Sequence, residues 1–391
     1  MDGETFPKTT GARLKLLIAV LLTVAGQAMQ NIFMPLALYG NEDMGVFLVY
    51  TAFVFFVFFS ILDVILDVLT EKDDHISLHM SHRHMAVVGL ENALNGVGAI
   101  FGGSSSRTPL TLQMSFVLFV MQMGPWYKLV RTFGGRAFGG WVKFRDGISR
   151  QGLLYYGIAC SAYVASVALV VQDKVANQGS GSLNAFFLFF LFGAFMGMAY
   201  NVEQDIVMGR TQTLELHTGV PIGHTLSFLQ YMKRDVCVLR RQLTWVFIFS
   251  WIGVLLSFVG ASQGGALTHD RFIESWSAFI GFGDMYMNLF NLAYIVTFFA
   301  NIYVNRYDSA FTVLVSNVAA VSSMWTGWIP SISAQTVGFS PSIWKTVTAM
   351  VLSGAAIYPS YKFSEHFKKY CATLRGENSE EYLKLNNPVV A

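Results

Sequence analysis

The sequence predicts an all-α integral membrane protein with ten transmembrane helices, arranged as two inverted five-helix repeats. Three observations predict this class: an apolar composition, long apolar runs that recur along the chain, and an uneven distribution of basic residues among the loops. Of the 391 residues, 53% are hydrophobic and 13% are charged, whereas soluble domains carry about 25% charged residues. Such a chain has too little polar surface to cover a water-soluble globule of its size.

The long apolar runs provide the spans. A bilayer core takes about 20 apolar residues per helix, and lipid tolerates only helices or closed barrels because every backbone polar group has to be bonded internally. Runs of this length favour helices. The first run is too long, and the residues before it too acidic and polar, for a cleaved signal peptide, so we expect it to be retained as a span. We predict spans at residues 14–38, 45–69, 86–104, 108–124, 152–171, 184–206, 242–263, 285–304, 309–329 and 341–362.

The distribution of Lys and Arg predicts the orientation. Positive loops stay cytoplasmic, and with a cytoplasmic N-terminus 22 of the 26 Lys and Arg residues fall on that side. Both termini of this multi-pass protein are then cytoplasmic, which requires an even number of spans. The domains that follow are a cytoplasmic segment (1–13), a first five-helix repeat (14–171), a second five-helix repeat (184–362) and a cytoplasmic tail (363–391).

Five spans per half is an odd number, so a repeat of the two halves has to be inverted in the membrane. Each half contains a tight hairpin that starts on an Asn-bearing helix and turns at an arginine, Arg107 in the first half and Arg306 in the second. The polar stretch Ser104–Pro109 interrupts the first hairpin. We interpret it as a helix junction near the substrate path, with an ordinary interhelical turn as the alternative.

Four stretches carry a family resemblance: "LTLQMSFVLFVM" (110–121), "FMGMAYNVEQDIVMGR" (195–210), "NLFNLAYIVTFFANIYVNRYDSAFTVLVSNV" (288–318) and "SGAAIYPSYKF" (353–363). They resemble spans four, six, eight to nine, and ten of the chloroquine-resistance-transporter-like branch of the drug/metabolite transporter superfamily. The resemblance implies a five-plus-five layout, solute transport, and a place in an endolysosomal or vacuolar membrane.

The sequence departs from that family in two places. The segment between spans seven and eight is short and has no cysteine, although "RFIESWSAFIGF" (271–282) has the pattern of an amphipathic interfacial helix. The acidic residue that relatives carry in span eight falls at Tyr294. A preference for cationic substrates is therefore not implied.

Ionisable side chains inside the membrane are costly and are functional candidates by default. Glu91 and Asn95 are one helical turn apart in span three and share a face, and the resemblance places a family acidic position at Glu91 or Asn92. Asn201 and Glu203 close span six. We predict that these residues bind substrate or a proton, with a location at the membrane surface as the alternative for the carboxylates.

Neutral polar residues within the spans are further candidates, because amides and hydroxyls in a membrane either line a pathway or join helices by hydrogen bonds. Those we predict to contact substrate are Gln27, Gln30, Asn31, Gln113, Tyr294, Thr297, Asn301, Ser316 and Asn317.

No metal or cofactor site is predicted. The loop "EKDDHISLHMSHRHM" holds His75, His79, His82 and His84; their spacing fits no tetrahedral zinc motif and favours a solvated loop, with metal binding by these histidines as the alternative. The three cysteines are too few and too far apart in the sequence for a disulfide framework; they are Cys160, Cys237 and Cys371.

The sequence therefore predicts a secondary active transporter that moves a small organic solute, such as an amino acid, peptide or organic cation-like compound, by alternating access with optional proton coupling. The first alternative is a nucleotide-sugar or organophosphate antiporter of the same superfamily, which requires paired cations facing the interior. A non-transporting receptor or scaffold is the second. No enzyme motif is present, the expected partners are solute, protons and lipid rather than nucleic acid, and the oligomeric state stays open.

Overall fold

The computed structural model describes residues 10–40, 43–70, 82–102, 110–133, 148–178, 185–217, 228–260, 266–280, 285–305, 309–324 and 342–375. These residues are almost entirely helical. In chain order the helices are α1 Thr10–Gly40, α2 Met44–Leu69, α3 His82–Val97 with a π-helical end Gly98–Gly102, α4 Leu110–Met121, α5 Gly124–Phe133, α6 Arg150–Gln178, α7 Ala185–His217, α8 Phe228–Phe258, α9 His269–Ile280, α10 Met285–Asn305, α11 Ser309–Ser323 and α12 Ile343–Arg375.

Several of these helices suit a bilayer. Five stretches in the described residues are long and apolar enough to cross one: Thr10–Met34, Met44–Leu69, His82–Gly102, Arg150–Ala176 and Asp235–Phe258. The outward faces of the helices are apolar as well; Val68 is 76% exposed and Trp344 81%. Exposed apolar surface of this kind is rare on soluble monomers. The chain therefore has the properties of a multi-pass membrane protein.

The predicted spans and the observed helices overlap throughout, but their ends differ. Helix α7 continues to His217 and α8 begins at Phe228, because hydropathy marks only the apolar part of a helix while its backbone hydrogen bonds continue into polar sequence. Helix α5 was not predicted. The short amphipathic helix expected from residue 271 is present as α9. The interruption at Ser104–Pro109 lies outside the described residues.

The long helices pack in pairs. Helix α1 lies along α10, α2 along α8, α3 along both α7 and α8, and α6 along α12. Helix α4 packs on α6, and α11 contacts α1 and α12.

Helices α2 and α8 run antiparallel. The start of α2 meets the end of α8, where a Cβ on Gly45 would lie 2.4 Å from the carbonyl oxygen of Gly253. Near the other end of α2, Asp63 forms an ion pair with Arg240, with 2.6 Å between Oδ2 and Nε. We call these the Asp43 end and the Asp63 end of the bundle; the 20 residues between the two aspartates correspond to about 30 Å of helix.

Helix α9 covers the Asp43 end of α2. Its residue Phe279 is buried and stacks on Tyr50, with ring centroids 5.2 Å apart. Ser275 of α9 donates a hydrogen bond to Oδ2 of Asp43, and Arg271 forms an ion pair with the same carboxylate, 3.2 Å from Nη2 to Oδ1. An apolar face and two polar contacts with one carboxylate together hold this short helix in place.

Candidate functional site

Helices α3 and α7 are in backbone contact. A Cβ added to Gly98 would lie 2.3 Å from Cα of Gly193. Further along, a Cβ on Gly197 would lie 2.6 Å from Oδ1 of Asn95. Because no side chain separates the two helices here, the polar residues next to this crossing are brought close together. Asn95, a predicted site residue, lies directly in it.

Glu203 of α7 is completely buried and forms an ion pair with Arg131 of α5, between Oε1 and Nε. The hydroxyl of Tyr127, also on α5, donates to the same Oε1 over 3.4 Å. The second carboxylate oxygen, Oε2, is buried without a hydrogen-bond partner. A carboxylate removed from water costs several kcal/mol unless it is paired, so Arg131 is what permits Glu203 to be ionised there.

Glu91 of α3 reaches the same place. Its Oε2 atom is buried and has no hydrogen-bond partner. The carboxyl group lies close enough to Glu203, Arg131 and the Tyr127 hydroxyl for all three to act on its charge. Two carboxylates therefore share one guanidinium. We call Glu91, Tyr127, Arg131 and Glu203 the carboxylate cluster.

A second polar group is neutral and joins α1 to α10 and α11. Nε2 of Gln30 donates to Oγ1 of Thr297 over 2.9 Å. Nδ2 of Asn31 donates to Oγ of Ser323 over 3.0 Å and lies 3.5 Å from the sulfur of Met114 on α4. We call Gln30, Asn31, Thr297 and Ser323 the amide set. It brings together side chains from three helices without placing a charge among them.

Further polar atoms of the bundle are buried without a hydrogen-bond partner. More than nine in ten buried polar groups in folded proteins are paired with protein or water, so such atoms require water or another polar partner. In the described residues they include Thr23 Oγ1, both amide atoms of Gln242, Asn291 Oδ1, Asn301 Oδ1 and Asn317 Nδ2. Asn301 and Asn317 were predicted as site residues.

The remaining predicted residues lie elsewhere. Asn201 is exposed and donates to the carbonyl of Gly197 in its own helix over 2.8 Å. Tyr294 stacks on Phe55, with ring centroids 4.2 Å apart. Gln113 is buried on α4. Gln27, Asn92 and Ser316 are half-buried on α1, α3 and α11.

The histidine-rich loop is only partly described. His82 and His84 begin α3, while His75 and His79 lie outside the described residues. Within the described part of the chain no three His, Cys, Asp or Glu side chains lie close enough together to hold a metal ion.

Ion pairs tie the two halves of the chain together. Where the structure describes both partners, five ion pairs join a residue in or next to α2, α5 or α6 to a residue of α7, α8, α9 or α12: Arg131–Glu203, Asp63–Arg240, Asp67–Lys233 at 3.2 Å, Asp43–Arg271 and Asp173–Lys345 at 3.5 Å. The pairs occur at both the Asp43 end and the Asp63 end of α2. The contact between the halves is therefore polar at its two ends.

Two members of the carboxylate cluster, Tyr127 and Arg131, were missed from the sequence. Residues 124–133 are basic and only weakly apolar, so hydropathy ends the fourth predicted span at residue 124 and indicates no further helix there. Their amphipathic pattern is the signal that could have identified α5 as a helix with one face on the bundle.

Comparison with known proteins gives no family: no protein-family model matches the chain, and no curated protein matches it.

Proposed function

We propose that the chain is a secondary active transporter of a small organic solute that works by alternating access, with the architecture of the drug/metabolite transporter superfamily. The observation that carries the proposal is the pattern of helix pairing. Consider the first-half segments α1, α2, α3, α4 and α6 exchanged in order with α7, α8, α10, α11 and α12. The exchange turns the pair α1–α10 into α7–α3, α1–α11 into α7–α4, and α11–α12 into α4–α6, all of which are observed contacts.

The direction of the helices supports an inverted repeat. Under this exchange α2 is the equivalent of α8, and α6 the equivalent of α12. Both pairs pack antiparallel: Asp63 meets Arg240 near the end of α2 and the middle of α8, and Asp173 near the end of α6 meets Lys345 at the start of α12. Equivalent helices that point in opposite directions are the property of inverted repeats, whose carriers hold substrate between the repeats.

The amide set supports a solute site between the halves. Gln30 and Asn31 come from the first half, and Thr297 and Ser323 from the second. Amide and hydroxyl groups of this kind orient a polar solute by hydrogen bonds in a mostly apolar site. A rocking motion of the halves would expose such residues to one side and then to the other.

The test is a binding screen followed by flux. Purified full-length protein is screened by thermal shift against amino acids, peptides, cationic drugs and nucleotide sugars, and each hit is measured as uptake into proteoliposomes. We expect saturable uptake of one class. Exchange driven by phosphorylated sugars would favour the antiporter alternative, and no flux with any stabilising compound would reject transport.

Two variants locate the solute site. Thr297→Val removes the hydroxyl that Gln30 contacts and keeps the side-chain shape, and we expect it to raise the KM for uptake. Thr348→Val is the matched control, because Thr348 is exposed on α12 and its hydroxyl bonds only the carbonyl of Trp344. Equal KM values in the two variants would remove the amide set from the substrate path.

The topology has its own test. Labelling of tags at both termini in sealed vesicles should place them on the same, cytoplasmic side. Termini on opposite sides would contradict an even number of spans and an inverted repeat of five.

A further inference from the structure

We infer that the carboxylate cluster is a proton-binding site, and that Glu91 is the residue that takes up and releases the proton. The role of this site in coupling rests on the transporter function proposed above. The existence of the site is independent of it and is tested separately.

Charge balance is the first step. Glu91, Glu203 and Arg131 bring two carboxylates, one of them completely buried and the other half-buried, together with one partly exposed guanidinium. With both carboxylates ionised, one negative charge has no counterpart in the cluster, and an unpaired charge away from water costs several kcal/mol. Addition of one proton makes the cluster neutral.

The contacts decide which carboxylate carries this proton. Glu203 holds Arg131 through Oε1 and accepts a hydrogen bond from Tyr127 through the same atom. Hydrogen bonds to the ionised form favour that form. Tyr127 is a hydrogen-bond partner of Glu91 as well, so the ion pair is what distinguishes the two: among the described residues Glu91 forms none with Arg131, and its Oε2 is buried without a partner. The proton therefore belongs on Glu91.

A protonated Glu91 also satisfies an unpaired atom. The Oε2 atom of Glu203 is buried and accepts no hydrogen bond. Ionised carboxylates accept only, whereas a carboxylic acid has one O–H donor. A carboxylic acid at Glu91 therefore adds one O–H donor to a cluster in which the Oε2 atoms of both carboxylates are buried without a hydrogen-bond partner.

Among the described residues, the groups that act on the charge of Glu91 come from two neighbouring helices. The charged or titratable groups that act on it are Glu203 from α7 and Arg131 and Tyr127 from α5. Helix α8 packs on α3 at Gly89 through Gln242 and Trp245, which are neutral, and α2 meets α3 at Gly96 through an apolar side chain, Leu48.

The cluster reaches the protein surface on one side. The Arg131 side chain is 41% exposed while Glu203 is buried, so the guanidinium extends from the surface into the cluster. On the other side, Asn95 is one turn from Glu91 along the α3–α7 crossing. Movement of α5 against α7 would open or close the contact that fixes Glu203, and the proton on Glu91 sets the charge balance of that contact.

The experiment uses infrared spectroscopy of the full-length protein in lipid nanodiscs, since the carbonyl band of a protonated carboxyl group is separate from carboxylate and amide bands. We expect a protonated-carboxyl band that disappears as the pH is raised and that is absent from Glu91→Gln. Glu274→Gln is the control, because Glu274 is exposed on α9; this variant should keep the band.

Two results would overturn the inference. They are a band that persists in Glu91→Gln, whether or not it is lost in Glu203→Gln, and no pH-dependent band at all. Replacement of choline chloride by sodium chloride at constant pH should leave the band unchanged; its loss would assign the site to Na⁺ instead. If Glu91→Gln does not fold, Glu91→Asp gives the same test, since its shorter carboxyl group should shift the frequency and an unshifted band would refute the assignment.

The result can be separated from the transporter proposal because the readout needs no solute. A Glu91-dependent band together with absent flux would reject transport and keep the proton site. Flux without such a band would keep the transporter proposal and reject the proton site.

Discussion

Arg131 of α5 and Glu203 of α7 form an ion pair in which the carboxylate is completely buried while the guanidinium side chain is 41% exposed. The two residues belong to different halves of the chain. The unequal burial means that the loss of one partner does not cost the same as the loss of the other.

Arg131→Gln should be the more damaging of the two single changes. It leaves Glu203 ionised and buried, and the removal of one partner from a buried pair costs about 3 kcal/mol or more. Glu203→Gln leaves an arginine that can turn to water, so we expect a loss of only about 1 kcal/mol. Thermal unfolding in detergent measures the loss of stability in each variant. The double variant should be more stable than Arg131→Gln alone. Equal losses would contradict the role assigned to burial.

The α3–α7 crossing should not tolerate a side chain. Gly98→Ala places a Cβ 2.3 Å from Cα of Gly193, which forces the helices apart and should cost about 1–3 kcal/mol. Gly354→Ala is the matched control, because a Cβ there meets nothing within 4 Å, and alanine favours a helix over glycine by up to about 1 kcal/mol. The melting temperature should fall for the first variant and stay or rise for the second; the opposite order would show that the helices are not in backbone contact.

Three buried serines join α4, α6 and α12. The hydroxyl of Ser166 is 2.9 Å from that of Ser115 and accepts a hydrogen bond from Ser353 over 3.0 Å. Ser166→Ala removes the shared partner, and we expect the free energy of unfolding to fall by about 1 kcal/mol. Ser161→Ala, at an exposed position of the same helix, should change it little. A comparable loss of stability in both variants would mean that the substitutions destabilise α6 itself rather than the contact between the three serines.

The docking of α9 depends on Asp43. Asp43→Asn removes the charge that binds Arg271 and weakens the acceptor of Ser275. Hydrogen bonds to charged groups are worth about 1.5–3 kcal/mol, so amide hydrogen exchange across His269–Ile280 should accelerate about tenfold or more. Asp270→Asn is the control, since that side chain is fully exposed on the same helix. Unchanged exchange in Asp43→Asn would show that the apolar contact of Phe279 suffices.

The helices could be predicted from hydropathy because α1, α2 and α6 have long apolar stretches. Glu91 and Glu203 could be proposed because charge is rare in such stretches, but nothing in the sequence shows that they meet. Their proximity depends on the contact of Gly98 with Gly193, between residues far apart in the chain. Helix α5 could not be predicted from hydropathy, because its apolar face is too narrow to raise the mean hydropathy of a sequence window as long as a membrane span.

The crossing of α3 and α7 has a mechanical consequence. Gly98 begins the π-helical end of α3 and touches Gly193 through backbone atoms only. Where helices interlock through side chains, turning one against the other forces those side chains over rotamer barriers. Where only backbone atoms are in contact, no side chain has to change rotamer. The Gly98–Gly193 contact can therefore serve as a pivot about which α3 and α7 rotate, with larger displacements at the helix ends than at the contact.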